Sequence, residues 1–118
     1  MRLFLDTNIM IDLLCKREPH YDAAAKLMVL KEEGIIQIIV SSLSFVTCNY
    51  VMSKTVEKNA VSELLKKFRV LCDVAEVDEI NIDKSLFSKF ADFEDAVQYY
   101  TALNGNCAII ITRNPKDF

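Results

Sequence analysis

Three short segments carry carboxylates and hydroxyls where they could share a hard metal ion. Asp6-Thr7-Asn8 directly follows an apolar run, Asp92-Phe93-Glu94-Asp95 opens a late helical pattern, and Thr112-Arg113-Asn114 follows another apolar run. In an open parallel sheet, ligands sit outside the carboxyl ends of the strands, so Asp6 and Thr112 are expected at one functional edge. Asp92 and Asp95 stand at i and i+3; if both are helical they project from one face, and Glu94 is expected to point elsewhere, to solvent. Oxygen ligands of this kind suit Mg²⁺ or Mn²⁺ rather than zinc. Such ions lower the pKa of water and steady the leaving oxygen of an in-line phosphoryl displacement. Unaided, that reading reaches a metal-dependent phosphodiesterase or phosphatase. A structural reading competes at each place: Asp, Thr and Asn are ordinary helix-capping residues, and acids in a first helical turn are favoured by the macrodipole.

The elements that must position these residues follow from periodicity. Short apolar runs alternate with longer helical patterns, which is the signature of βα units and a parallel sheet. Strands are expected at Arg2–Leu5, Ile35–Val40, about Cys72–Val77 and Cys107–Ile111. The last is all apolar and therefore expected to be central. Helices are expected over Asn8–Cys15, from Pro19 in a first turn to Glu33 with Gly34 stopping it, and, capped by Ser41 and Ser42, through about Ser53. Further helices are expected from Val56 or Glu57 to Arg69, from Asn81 to Lys89, and from about Phe93 to Leu103. The fold class is α/β, a three-layer α/β/α arrangement around a central parallel sheet of four to five strands.

A chain of 118 residues is one domain with one core. No apolar run reaches the roughly 18 residues of a membrane span. The first apolar stretch is too short for a signal sequence and is interrupted by Asp6, which points to a cytoplasmic protein. Four cysteines, Cys15, Cys48, Cys72 and Cys107, lie far apart in apolar segments without a CxxC pair, so they read as small buried hydrophobes rather than disulfides or zinc ligands. His20, the single histidine, reads as a surface or capping residue, and Tyr50, Tyr99 and Tyr100 as packing residues. The net charge of −3 is not the basic footprint usual for nucleic-acid binders, yet it is compatible with a nuclease whose metal ions bridge carboxylates to phosphate.

Leu3-Phe4-Leu5-Asp6-Thr7-Asn8, Asp92-Phe93-Glu94-Asp95-Ala96-Val97-Gln98 and Ile109-Ile110-Ile111-Thr112-Arg113-Asn114, with Lys116-Asp117-Phe118 at the end, together resemble the PIN domain. That is the ribonuclease fold used by VapC-type toxins of bacterial toxin–antitoxin systems. The resemblance in element order spans nearly the whole chain. It implies that Asp6 is the first metal ligand, that Asp95 is the acid of the late helix, and that Thr112 and Asn114 form the polar turn where a further Asp often sits, with Asp117 just beyond. It also implies RNA as substrate, a small antitoxin protein as partner and a homodimer, a role for which the Phe45, Tyr50 and Met52 surface offers apolar area. The usual Glu in the helix after the second strand is replaced here by Thr47, and Asn114 stands for another expected Asp. Asp92 is expected to compensate. The family fold normally continues into a short edge strand after this turn, so residues 1–118 are expected to form a single domain without it.

The mechanism so implied has Asp6 and Asp95, with Asp92 or Asp117 assisting, hold Mg²⁺ or Mn²⁺ while water attacks an RNA phosphodiester in line. Asp95 or Asp92 would help remove its proton. Thr7, Asn8, Thr47, Thr112 and Asn114 are the supporting polar residues, and Arg113 and Lys116 are candidate phosphate contacts. The rival is a degenerate, non-catalytic domain of the same fold that binds RNA or a protein. A phosphatase or phosphoacceptor is disfavoured, since Asp6-Thr7-Asn8 lacks the second acid of a DxD turn.

Overall fold

The computed structural model describes residues 1–118 except for the side chain of Asp117, so the expectation that Asp117 ligates metal lies outside the described residues. Strand β1 (Arg2–Leu5) is followed by helices α1 (Thr7–Leu14) and α2 (Tyr21–Glu32). Strand β2 (Gln37–Ser41) leads into α3 (Ser42–Met52) and α4 (Lys58–Leu71). After β3 (Asp73–Ala75) come α5 (Glu79–Leu86), α6 (Phe93–Asn104), β4 (Ile109–Ile111) and a single 3₁₀ turn at Pro115–Asp117. Among the described residues the sheet has four strands in the order β3-β2-β1-β4, with every neighbouring pair parallel.

Alternation along the central strands builds three layers. Leu3, Leu5, Ile38 and Val40 face a core shared with Met10, Ala24, Cys48, Met52, Val61 and Phe68, which brings α1 to α4 to one side. Phe4 and Ile39 face the other way, against Ala102 of α6 and Ala75. A period of two on the strands thus commits each face to its own helical layer. Gly34 ends α2 with φ of 75°; its N–H and that of Ile35 satisfy the carbonyls of Lys31 and Leu30. At Gly105 an added Cβ would lie 3.3 Å from Cβ of Ala75 and 3.5 Å from Cγ2 of Ile39, so the turn after α6 closes tightly on the sheet.

Several expectations are corrected. Strand β4 is an edge strand among the described residues, and Ile109 is 41% exposed; an apolar run reports burial, but strand order depends on where the last crossover returns. Pro19 precedes α2 rather than opening it, because residues 18–20 form a turn in which the Arg17 carbonyl takes the N–H groups of His20 and Tyr21. Strand β3 is shorter than expected, and α5 begins earlier, where the Asp78 carboxylate caps it through the Asn81 N–H. Tyr50 is exposed beneath Lys54, whose Nζ lies 4.7 Å from the ring centroid. Met52 is buried and Phe45 half-buried against Phe68, so the apolar surface of α3 consists of Leu43, Val46 and Tyr50 instead.

Candidate active site

The chain builds outward from β1 to β2 and β3, then returns across the sheet to lay β4 on the other side of β1. The reversal lies between β1 and β4, and in an open α/β sheet that crevice, at the carboxyl ends, is where ligands bind. Asp6 leaves β1 there and Thr112 leaves β4 there. The Asp6 N–H donates to the Ile111 carbonyl at 2.9 Å, which fixes the two strand ends together.

Asp6 is itself the N-cap of α1, with extended backbone. Of the Asp, Thr and Asn read as capping residues, Asp6 takes that role: Thr7 is the first helical residue, and Asn8 is exposed on the helix. The Asp6 side chain is only 7% exposed. Its Oδ1 accepts from the Thr7 N–H at 2.8 Å and from Gln98 Nε2 at 3.4 Å, and its Oδ2 accepts from Thr112 Oγ1 at 2.9 Å. A carboxylate oxygen has two lone-pair directions, so Oδ2 keeps one available for a cation.

Below the carboxylate lies a buried neutral network. Gln98 Nε2 donates to Thr7 Oγ1 at 2.8 Å and reaches Ser44 Oγ at 3.3 Å, while those two hydroxyls share a 2.9 Å hydrogen bond. Gln98 and Ser44 were not singled out by the sequence, although Gln98 stands three and four residues after Asp95 and Glu94 and so shares their helical face. That spacing is the signal that could have found it. Helix α3 meets this network through Ser44; Thr47, one turn on, is half-buried and takes no part in it.

The acidic turn differs from expectation at Asp92. Asp92 is not helical: it is the N-cap of α6, and its Oδ1 accepts from the Asp95 N–H at 3.0 Å, so the capping reading describes it and the shared helical face does not. Glu94 is exposed, as expected of a residue turned to solvent, and its carboxyl is held above the usual range by partial desolvation first, then by the charges of Asp6 and Asp92. Asp92 and Asp95 line a cleft of about 610 Å³ with Lys89, Phe90, Lys116 and Phe118. Phe90 packs against Tyr99, Tyr100 and Phe118 with ring centroids 5.2, 6.4 and 6.3 Å away, which gives the cleft an aromatic wall.

Thr112 also accepts from the Asn114 N–H at 3.1 Å, closing the turn, and the Asn114 side chain is exposed. Arg113 is engaged within the protein. Its Nε lies 3.1 Å from Oδ2 of Asp12, a fully buried carboxylate that also takes Arg17 Nη2 at 2.9 Å. Lys116 remains as the exposed cation of that segment on the cleft.

The donor set fits a hard divalent ion in kind. Partial desolvation first, and then the charges of Asp6 and Asp92, raise the proton affinity of Glu94; a cation would relieve the repulsive part, and every donor is oxygen. Among the described residues, however, no three His, Cys, Asp or Glu side chains stand close enough to form a ready-made metal cage.

Comparison with known proteins agrees with this architecture. The family model for the PIN domain matches residues 2–116. Ribonuclease VapC1 of Aquifex aeolicus (strain VF5) is 24% identical over 122 residues, covering 99% of this chain and 83% of that protein. VapBC2 from Rickettsia felis, solved bound to a DNA fragment from its promoter, superposes with a TM-score of 0.70 at 20% identity, over 98% of this chain and 90% of the other. Mycobacterium tuberculosis VapC20, a toxin that cleaves the sarcin–ricin loop, superposes with a TM-score of 0.72 at 13% identity, over 92% and 86%. At these identities the two superpositions speak to the fold alone.

Proposed function

The chain belongs to the PIN-domain family, and on that premise we propose that it is a Mg²⁺- or Mn²⁺-dependent ribonuclease, the toxin of a toxin–antitoxin pair acting in the cytoplasm. The observation that carries the proposal is the Asp6 carboxylate, held from three sides at the strand-order reversal with an oxygen lone pair to spare and Glu94 electrostatically coupled to it. Asp6, Glu94 and Asp95, with Asp92 beside them and Asp117 as the resemblance suggests, would hold the ion. When bound, it would lower the pKa of water and stabilise charge developing on the phosphate oxygens. Thr112, the Thr7 N–H and Gln98 fix the Asp6 carboxylate in one orientation. Asp95 or Asp92 accepts the proton of the attacking water, Lys116 meets a substrate phosphate, and Asn8 and Asn114 offer exposed amides to RNA.

The test is RNA cleavage by the purified protein with Mn²⁺ or Mg²⁺ against Asp6→Asn, which should lose at least about 100-fold in rate; equal rates would end the proposal. The lack of a three-carboxylate cage among the described residues, with Thr47 at the usual Glu position, favours a second reading, a non-catalytic member that binds RNA or protein. Under that reading Mn²⁺ leaves the thermal midpoint unchanged.

Partners follow the same logic. The VapBC2 neighbour supports a small DNA-binding antitoxin as the partner, encoded beside this chain. Leu43, Val46 and Tyr50 form an exposed stripe along α3, which supports a homodimer. Light scattering should give twice the chain mass of 13.5 kDa, and a monomer at micromolar concentration would remove the dimer.

A further inference from the structure

The most expensive group in the molecule that the proposed chemistry does not use is Asp12. It lies on α1, 0% exposed, and an ionised carboxylate so placed costs several kcal/mol unless it is paired. Two cations pair it from different parts of the chain. Arg17, just beyond α1, approaches Oδ1 with Nε at 3.0 Å and Nη2 at 2.9 Å. Arg113, from the turn after β4, approaches Oδ2 with Nε at 3.1 Å. The residue before Arg113 is Thr112, whose hydroxyl donates to Asp6 Oδ2 at 2.9 Å. The turn is therefore tied to the β1–α1 unit at two neighbouring points, Thr112 on Asp6 and Arg113 on Asp12.

We propose that Asp12 is a positioning residue: through Arg113 it clamps the turn at residues 112–114 onto α1, and so aims the Thr112 hydroxyl at the Asp6 carboxylate. The inference rests on the ribonuclease reading of Asp6 for its catalytic consequence, and on geometry alone for the clamp. Thr112 belongs to a turn exposed on its outer side at Arg113 and Asn114; the hydroxyl of such a turn samples several rotamers unless something fixes the backbone. A guanidinium on a buried carboxylate supplies that fixation, because Asp12 Oδ2 is buried with no hydrogen-bond partner among the described residues, and Arg113 is the cation that faces it. The arrangement also reassigns Arg113 from substrate contact to internal strut.

The two arginines give the experiment its contrast, since both neutralise Asp12 but Arg113 alone belongs to the turn. Arg113→Ala leaves Asp12 paired with Arg17, so the fold is retained while the turn is released. In metal-free protein, three-bond couplings to the Thr112 methyl group should report one rotamer in wild type and in Arg17→Ala, and an average in Arg113→Ala. With Mn²⁺ and RNA, Arg113→Ala should lower kcat about 10- to 100-fold, as expected for a misplaced catalytic group. KM for RNA should stay within about twofold, since no uniform binding contact is lost. Arg17→Ala should keep wild-type kcat; if it fails to fold, Arg17→Lys retains the charge and serves instead. A single Thr112 rotamer in Arg113→Ala would overturn the clamp, and so would a raised KM at unchanged kcat, the mark of a phosphate contact. If wild type cleaves no RNA, the ribonuclease reading fails by itself, and the coupling measurement still decides the clamp.

Discussion

Three carboxylates linked electrostatically through Glu94 meet different fates. Asp6 is buried and fully directed by hydrogen bonds, Asp92 is absorbed by a helix cap, and Glu94 is held in the field of both. The charges on Asp6 and Asp92 oppose ionisation of Glu94, so at pH 7 its negative charge is a liability to the metal-free fold. Glu94→Gln is therefore expected to raise the thermal midpoint in EDTA, by a small amount on the order of 1–2 °C because solvent screens the residue. The gain should fade at high salt. Added Mn²⁺ should then favour the wild type, since only it keeps the full acidic set. Calorimetry of both proteins with EDTA and with Mn²⁺ reads this directly; a lower midpoint for Glu94→Gln in EDTA would contradict this electrostatic account.

At the scale of elements, what the sequence reveals depends on whether the determining contact is local. The Ser41 cap of α3, the Gly34 stop of α2 and the bounds of β1 are written in neighbouring residues, and all were legible. Asp6 and Thr112 were legible as well, because each sits where an apolar run ends and a strand must expose its carboxyl end. The edge position of β4 was not, since Ile109-Ile110-Ile111 looks the same in the middle of a sheet or at its rim. Asp92 was assigned to a helical face because i and i+3 spacing does not distinguish a cap from a first turn, although a capping Asp contributes about 1 kcal/mol in its own right. Gln98, Ser44 and Asp12 were missed for a common reason: each is a polar residue inside an apolar helical pattern, and at least one of its partners comes from a distant part of the chain. Ser44 and Gln98 are 54 residues apart, and only the closed sheet makes them neighbours.

Considered as a whole, the molecule folds two of its four thiols, Cys48 and Cys72, into the core and leaves Cys15 and Cys107 half-buried, and the buried pair sets its behaviour in alkali. Burial pushes the Cys48 thiol from 9.0 to about 12, with the nearby Cys15 adding to the rise, and it pushes Cys72 from 9.0 to about 11. Between pH 9 and those values the unfolded chain gives up a proton that the folded chain keeps. The unfolded state then binds fewer protons, and stability must fall as pH rises. The contribution is fully present below pH 9 and is lost as pH climbs through the folded values, at a limiting slope of roughly 1.4 kcal/mol per pH unit for each thiol. Urea midpoints measured at pH 8, 9 and 10 should therefore decline. Cys48→Ala isolates the thiol: the variant starts lower at pH 8 because of the small cavity it leaves, yet it should lose less between pH 9 and pH 10 than wild type does. Parallel declines in the two proteins would mean that Cys48 ionises in the folded state, and hence that the α1–α4 core admits water where the packing around β2 and α3 leaves it none.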